Sequence, residues 1–278
     1  NKPETYTPEN RSLFAKFQSA LNAGTVRAAE PDSASATGWR VNTWVKKGEY
    51  NTSLRAIAQG SDGHTDAVFF KGNVNALIWY KPSQLKQLGI KVPKTWGQFN
   101  AALKKVKSDG KTPFLVGGKD GWPLTQWVDP IILRVAGPAA FNALARGTIP
   151  WDDKRIVRAF TVLNGMIENY WPSNALATAF IDEACGWATG KAVFDNQGAF
   201  INLVAPGQCD KKLKPGRDFT FFLMPKYRAS APTAQFVSGD LFAGAKDTDN
   251  PEATMAFLGY LGSAPAQSIW ARRGGYIA

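Results

Sequence analysis

The sequence predicts an α/β fold, because short apolar runs of strand length alternate along the chain with segments of helical periodicity. The clearest strand-like runs are residues 67–70 and 76–80, AVFF and ALIWY. The clearest helix follows Thr95, where Gln98 three residues later completes a capping-box pattern. The chain has 278 residues, enough for two lobes or for one large α/β domain.

The remaining elements alternate in the same way. We expect further strands over 113–116, 192–194 and 218–224, and two strands joined by a glycine turn over 236–243. We expect helices over 11–21, over 124–135, from Asp152 or Asp153, from Pro251 and from 263–265. The side chains predicted to be buried on the helices from Asp152 and Pro251 are Ile156, Phe160, Leu163 and Ile167, then Met255, Phe257, Leu258 and Leu261.

The charge and histidine content limit the possible functions. A net charge of +11 allows nucleic-acid binding, but the 33 basic residues are dispersed and form no basic arm, so a solvated basic surface is the better interpretation. The single histidine, His64, leaves little material for a Ser-His-Asp triad, a Cys-His pair or a multi-histidine metal site. We predict neither a metal nor a cofactor.

The two cysteines, Cys185 and Cys209, are too few for a disulfide scaffold and lack the spacing of a metal site. From composition alone, a single disulfide in an oxidising compartment and two buried free thiols are both open.

Three polar loops combine residue types that suit a sugar. They span 117–127, 195–200 and 238–240, and they carry aspartates, amides, glycines and aromatic rings. A carboxylate can accept hydrogen bonds from two sugar hydroxyls, while an aromatic face can pack on the C–H face of a sugar ring. Loops that end strands also carry Asp, Asn and Gly simply as turn formers, so each loop alone is a weak indication.

An ordered set of motifs runs from residue 68 to the end of the chain. The segments are 68–80 (VFFKGNVNALIWY), 88–96 (LGIKVPKTW), 111–113 (KTP), 121–127 (GWPLTQW), 194–200 (FDNQGAF), 239–241 (GDL) and 272–278 (RRGGYIA). Together they resemble family 1 extracellular solute-binding proteins of ABC sugar importers. The last two are similar to the closing motifs of the α-glucoside-binding branch.

The sequence departs from that family in places. Tyr80 is followed by Lys81, where the family usually has asparagine, and Phe200 replaces the tryptophan of the site loop. Phe200 keeps a stacking face but lacks the indole N–H donor. The family also has a βα stretch before the equivalent of residue 1 and helices after that of Ala278, so we expect a chain truncated at both ends.

The resemblance implies a two-lobe periplasmic-binding-protein-like fold of type II. Residues 1–74 would belong to the first lobe, 75–223 would form the second, and 224–278 would return to the first. The lobes would be joined by crossing segments near 71–75, 223–225 and 275–278, and hinge closure would trap the ligand in the cleft between them.

Carried over residue by residue, the resemblance implies a ligand site with members from both lobes: Lys71, Asn73, Asp120, Trp122, Gln197, Phe200, Ser238, Gly239, Asp240 and Arg273. For Arg273, a favourable cation at a helix C-terminus is an equally good interpretation. Trp127, inside a predicted helix, is expected in the core.

The function implied is that of a substrate-binding component and not of an enzyme. Its ligand would be an α-glucoside or related oligosaccharide, and its partner the membrane permease of an ABC importer. We expect a monomer that binds no nucleic acid, located at the periplasmic or extracellular face of a bacterial membrane, with or without a lipid anchor. Because such proteins work outside the cytoplasm, we predict a Cys185–Cys209 disulfide.

A glycoside hydrolase is the alternative, since it also needs aromatic and carboxylate side chains. The candidate pairs are Asp152 with Asp153 and Asp182 with Glu183. A glycosidase needs two carboxyl groups that face each other across the scissile bond, which adjacent residues rarely do. Asp152 and Asp153 are better explained as a helix N-terminus.

Overall fold

The computed structural model describes residues 67–231, 234–245 and 247–273, together with 29–31, 39–41 and 58. The predicted helix over 11–21 and His64 lie outside these residues. The strands are β1 (Ala29–Pro31), β2 (Trp39–Val41), β3 (Val68–Val74), β4 (Leu77–Tyr80), β5 (Phe194–Gln197), β6 (Thr220–Leu223) and β7 (Val237–Phe242). The helices are α1 (Pro82–Gln87), α2 (Trp96–Ser108), α3 (Thr125–Val135), α4 (Pro138–Ala145), α5 (Lys154–Tyr170), α6 (Phe180–Ala188), α7 (Ile201–Val204), α8 (Pro251–Leu261) and α9 (Ala264–Arg273).

The predicted α/β class is confirmed. The strand expected over 113–116 is instead reduced to a single bridge between Phe114 and Phe194. Two short helical turns, Gly118–Asp120 and Trp122–Leu124, occupy the glycine-rich loop before α3.

A three-stranded antiparallel sheet, β5-β4-β6, organises the larger part of the described chain. Trp79 of β4 lies opposite Asp195 of β5, and Leu77 lies opposite Gln197. Because successive side chains of a strand alternate between faces, these four residues share one face of the sheet, and Ile78 lies on the other.

Each face of this sheet is covered by its own hydrophobic core. The Ile78 face packs against α2, α3 and α5 in a core that includes Phe99, Trp127, Ile156 and Phe194. The Trp79 face packs against α6 through Ala184 and Trp187, with Phe219 beside them. The core position predicted for Trp127 is confirmed by its full burial.

Local sequence signals account for the helix starts. Thr95 Oγ1 accepts a hydrogen bond from the backbone N–H of Gln98 at 3.2 Å, so the predicted cap of α2 is confirmed. Asp153 caps α5 and accepts from the backbone N–H of Arg155 at 2.9 Å. Pro251 is the first residue of α8, as its fixed φ favours.

The predicted burial of some helix residues is wrong. Phe160 and Ile167 of α5 are each 38% exposed, and Phe257 of α8 is 49% exposed. The buried stripe of α5 runs through Ile156, Ala159, Leu163, Met166 and Tyr170. Phe160 and Ile167 each follow a member of this stripe by one residue. Each further residue turns the side chain about the helix axis, so these two side chains lie at the edge of the stripe.

The chain divides into two compact units, residues 1–72 with 239–278 and residues 73–238. The predicted boundaries fall between residues 74 and 75 and between residues 223 and 224. In the structure, residues 224–238 group with the second unit instead. Hydrogen bonds to Asn75 explain this: its N–H donates to Phe236 O at 3.1 Å, and its Nδ2 donates to Ser238 Oγ at 2.5 Å. The assignment of lobes and hinge segments stays a prediction.

The strands β3 and β7 pair with each other. β7 runs through Gly239 as one strand, so the glycine turn predicted there is wrong. Gly239 of β7 lies so close to β3 that an added Cβ would stand 2.7 Å from Lys71 O. Gln267 of α9 donates from Nε2 to Phe69 O at 3.0 Å, which ties that helix to β3.

Candidate functional site

An aromatic cluster of Trp122, Phe180 and Phe200 lies at the surface of the second unit. The ring centroids of Trp122 and Phe180 are 4.8 Å apart, and each lies 5.7 Å from that of Phe200. Trp122 is 42% exposed, whereas the two phenylalanines are partly buried. The structure therefore brings together two predicted site residues, Trp122 and Phe200, and adds Phe180, which sequence reasoning missed.

Local backbone geometry places Trp122 in this cluster. Gly121 adopts φ +74°, in the left-handed region that favours glycine, and it separates the two helical turns of the loop. Gly118 packs against the chain at Ala175, where an added Cβ would stand 2.9 Å from the carbonyl oxygen. The loop is thus held against the segment that leads into α6.

Asp120 is exposed, and it contacts the cluster through the backbone N–H of Phe180. Its Oδ2 accepts a hydrogen bond at 2.6 Å from the N–H of Phe180, the first residue of α6. A carboxylate at a helix N-terminus is favoured by the unpaired N–H groups there. Asp120 therefore orients Phe180, and its predicted contact with a ligand stays a prediction.

Gln197 does not face solvent. It is fully buried, and its Nε2 donates to Glu183 Oε2 at 3.0 Å. The same oxygen accepts from the N–H of Gly117 at 2.7 Å. The predicted direct contact between Gln197 and a ligand is therefore not favoured, because its place on β5 turns it toward α6.

Glu183 and Asp195 form a buried acid pair beneath the cluster. Burial and the charge of Asp195 raise the pKa of Glu183 well above its usual range. Burial also raises the pKa of Asp195 to about 7. The sequence groups Glu183 with Asp182 instead, but Asp182, the preceding residue of α6, is exposed.

The other carboxylate pair considered for hydrolysis has a local role. Asp153 caps α5, and hydrogen bonds from Arg155 hold its pKa at about 2. A group so readily ionised is a poor general acid near neutral pH. Glu183 and Asp195 are both fully buried, so neither carboxyl group faces an accessible scissile bond.

The predicted site residues of β3 and β7 have partners within these strands. Lys71 and Asp240 form an ion pair. Gly239 is needed for the close packing of β7 on β3, as its contact with Lys71 O shows. Asp240 is exposed, Ser238 Oγ accepts from Asn75, and Asn73 is buried.

Arg273 is the last residue of α9, and its side chain lies outside the part of the chain that the structure describes. Both interpretations of this residue therefore stay open.

A network of amide side chains, which sequence reasoning missed, holds the turn between β3 and β4. Ala76 adopts φ +54°, and its N–H donates to Gln126 Oε1 at 2.9 Å. Asn196 of β5 donates from Nδ2 to Gln126 O at 2.9 Å. One residue of α3 therefore binds both this turn and β5.

The predicted disulfide is confirmed. Cys185 in α6 is bonded to Cys209, which ends the π-helical turn Ala205–Cys209 that follows α7. The bond therefore links the helix that begins at Phe180 to the segment that follows Phe200. None of the described helices is long and apolar enough to cross a membrane.

Comparison with solved structures supports the fold. A chitin oligosaccharide binding protein superimposes with a TM-score of 0.69 at 18% sequence identity, covering 95% of this chain and 69% of that one. The profile of the bacterial extracellular solute-binding protein family matches residues 12–268, so the chain belongs to this family. The predicted family and two-lobe α/β fold class are thereby confirmed.

Two curated relatives are similar in sequence to most of this chain. The osmoprotective compounds-binding protein GgtB of Synechocystis is 29% identical over 228 residues, which cover 78% of this chain and 52% of that protein. The alpha-glucosides-binding periplasmic protein AglE of Rhizobium meliloti is 29% identical over 244 residues, which cover 82% of this chain and 50% of that protein. The chain thus spans about half the length of these relatives.

Proposed function

We propose that this protein is the sugar-binding component of an ABC importer and that it binds an α-glucoside or a related oligosaccharide without chemical change. The observation that carries the proposal is the partly exposed cluster of Trp122, Phe180 and Phe200 in a solute-binding protein. Aromatic surface of this kind suits the apolar faces of sugar rings, and the name of AglE supplies the α-glucoside class.

The proposed place of action is outside the cytoplasmic membrane, with the permease of the importer as partner. The family is extracellular, and the Cys185–Cys209 disulfide suits an oxidising compartment. Hinge closure, a monomeric state and the absence of nucleic-acid binding stay predictions of the same proposal.

Calorimetric titration with maltose, trehalose and other disaccharides tests the ligand class. We expect Trp122→Ala to weaken binding by about 2 kcal/mol, the scale of an aromatic residue central to a binding surface. The matched control is Trp151→Ala, which removes a more exposed tryptophan that contacts Phe160 instead of the cluster. If both variants bind with equal affinity a sugar that the wild type binds, the ligand site is not at this cluster.

The same sugars test the absence of enzymatic activity. Incubation of the protein with maltose or trehalose should leave both intact, and release of glucose would favour the hydrolase alternative. Affinity for a neutral sugar should also change little with salt, whereas binding of DNA or RNA would weaken steeply.

A further inference from the structure

We propose that Glu183 is a positioning residue for the aromatic cluster: its buried carboxyl group holds together the three segments that carry Trp122, Phe180 and Phe200. This inference rests on the proposed function, because it assigns the cluster a ligand, but it makes a claim about the protein alone that can be tested without sugar.

The three rings come from segments that are distant in sequence and that meet at one carboxyl group. Glu183 stands one helical turn after Phe180 on α6. Its Oε2 accepts from the N–H of Gly117, at the start of the loop that carries Trp122. It also accepts from Nε2 of Gln197, at the end of the strand that leads to Phe200. One oxygen therefore fixes the loop and the strand to the helix.

The packing is close at Gly117, between the loop and α6, and at Gly198, beside Phe200. A Cβ added to Gly117 would stand 2.6 Å from Glu183 Oε2 and 2.7 Å from Phe180 Cα. A Cβ added to Gly198 would stand 2.5 Å from Cε1 of Phe200. A shift of the Glu183 carboxyl group would therefore be passed to the rings of Phe180 and Phe200.

Burial of the two acids favours a protonated carboxyl group. Glu183 and Asp195 are fully buried, and Glu183 Oε1 and both carboxyl oxygens of Asp195 have no hydrogen-bond partner among the described residues, so two ionised groups would stay uncompensated there. Their raised pKa values agree with a single proton that the pair retains near neutral pH.

No other charged side chain of the described residues replaces that proton. Lys81, near the C-terminal end of α6, donates to Ala188 O and so binds away from the pair. Tyr80 lies on the opposite face of the sheet from Asp195. The titratable side chains of α6 and of the segments beside it are exposed: Lys119, Asp120, Asp182 and Lys191. Asp210 and Asp218 interact with Lys81. Asp129 and Arg134 belong to α3, which covers the opposite face of the sheet, and Arg134 donates to Ala234 O.

Loss of this proton would leave two interacting negative charges inside the protein. Like charges repel, and burial removes the solvent that would screen them. The repulsion would act between α6 and β5, the two elements that position Phe180 and Phe200. We expect the cluster to be intact when the pair holds its proton and distorted when pH rises above the pKa of the pair.

The test combines sugar binding with a label on Trp122 in the full chain. Protein labelled with 5-fluorotryptophan gives a fluorine NMR resonance for Trp122, assigned by its absence in Trp122→Phe. In the wild type we expect this resonance to shift between about pH 6 and about pH 9, and maltose affinity to fall on the order of tenfold over the same range. Glu183→Gln, which keeps a neutral acceptor and donor, should hold the resonance and the affinity near their values at the lower pH throughout.

Two further variants complete the design. Glu183→Leu should shift the resonance and weaken binding at both pH values, because it removes the acceptor for Gly117 and Gln197. Asp182→Asn removes an exposed carboxylate from the same helix and should behave as the wild type, pH dependence included.

The outcomes separate the two proposals. If maltose and the other disaccharides fail to bind the wild type, the proposed ligand class is wrong, but the fluorine resonance still tests the role of Glu183. The inference would be overturned if the Trp122 resonance of the wild type does not shift with pH and is the same in Glu183→Gln and Glu183→Leu. A Glu183→Gln protein with the same pH dependence as the wild type would also overturn it.

Discussion

Asp120 offers a sharp test of the candidate site, because the sequence and the structure give it different roles. The sequence predicts that its carboxylate accepts hydrogen bonds from sugar hydroxyls. In the structure, Oδ2 accepts from the N–H of Phe180 at 2.6 Å. Replacement by alanine removes this bond from the start of α6, and a lost helix cap of this kind costs about 1 kcal/mol of unfolding free energy.

Replacement by asparagine separates the two roles. An amide oxygen can still accept from Phe180 N–H, so Asp120→Asn should nearly keep the wild-type stability and the position of Phe180. If Asp120 acts only by orienting Phe180, sugar affinity should also be nearly kept in Asp120→Asn and should fall about threefold in Asp120→Ala.

Direct contact with the ligand predicts a different pattern. Loss of a hydrogen bond between a charged carboxylate and a sugar hydroxyl would cost about 1.5–3 kcal/mol of binding free energy in Asp120→Asn and Asp120→Ala alike. Urea unfolding gives the stability and calorimetry gives the affinity. A large loss of affinity in a fully stable Asp120→Asn protein would refute the positioning role.

Two further predictions concern the frame around the site. Replacing both Cys185 and Cys209 by serine should lower the unfolding free energy by about 3 kcal/mol in urea titrations, because the bond closes a loop with a sequence separation of 24; unfolding that is insensitive to both substitutions would contradict this. Gly239→Ala should cost about 1–3 kcal/mol through the clash of its Cβ with Lys71 O, whereas Gly207→Ala, where a Cβ meets nothing within 4 Å, serves as the control in the same urea titrations.

Much of the fold follows from short-range patterns in the sequence. The capping box at Thr95, the aspartate before α5 and the proline at the start of α8 each act within one helical turn, so their effect can be read from neighbouring residues. Burial along α5 and α8 was predicted less well, because the buried side of a helix depends on which elements pack against it, and Phe160 and Phe257 lie off that side.

The sequence predicted only part of the candidate site, because the contacts within it join segments distant in sequence. Trp122 and Phe200 stand in loops whose composition suits a sugar, and the structure places their rings 5.7 Å apart. Phe180 gave no signal, because its helix was not recognised and its partners lie about 20 residues or more along the chain. One clue in the sequence is an aromatic residue at a helix start, two positions before the acidic pair Asp182 and Glu183.

What the sequence by itself determined is the family, the α/β class, the cysteine pair and the residue types that make a sugar site plausible. Only the tertiary structure decided which of those residues face solvent. Gln197 and Asp195 were predicted as part of a loop, but their places on β5 turn them toward α6, where Glu183 binds one and pairs with the other. The direction of a side chain depends on contacts between segments distant in sequence, so local composition can indicate a site's chemistry but not its geometry.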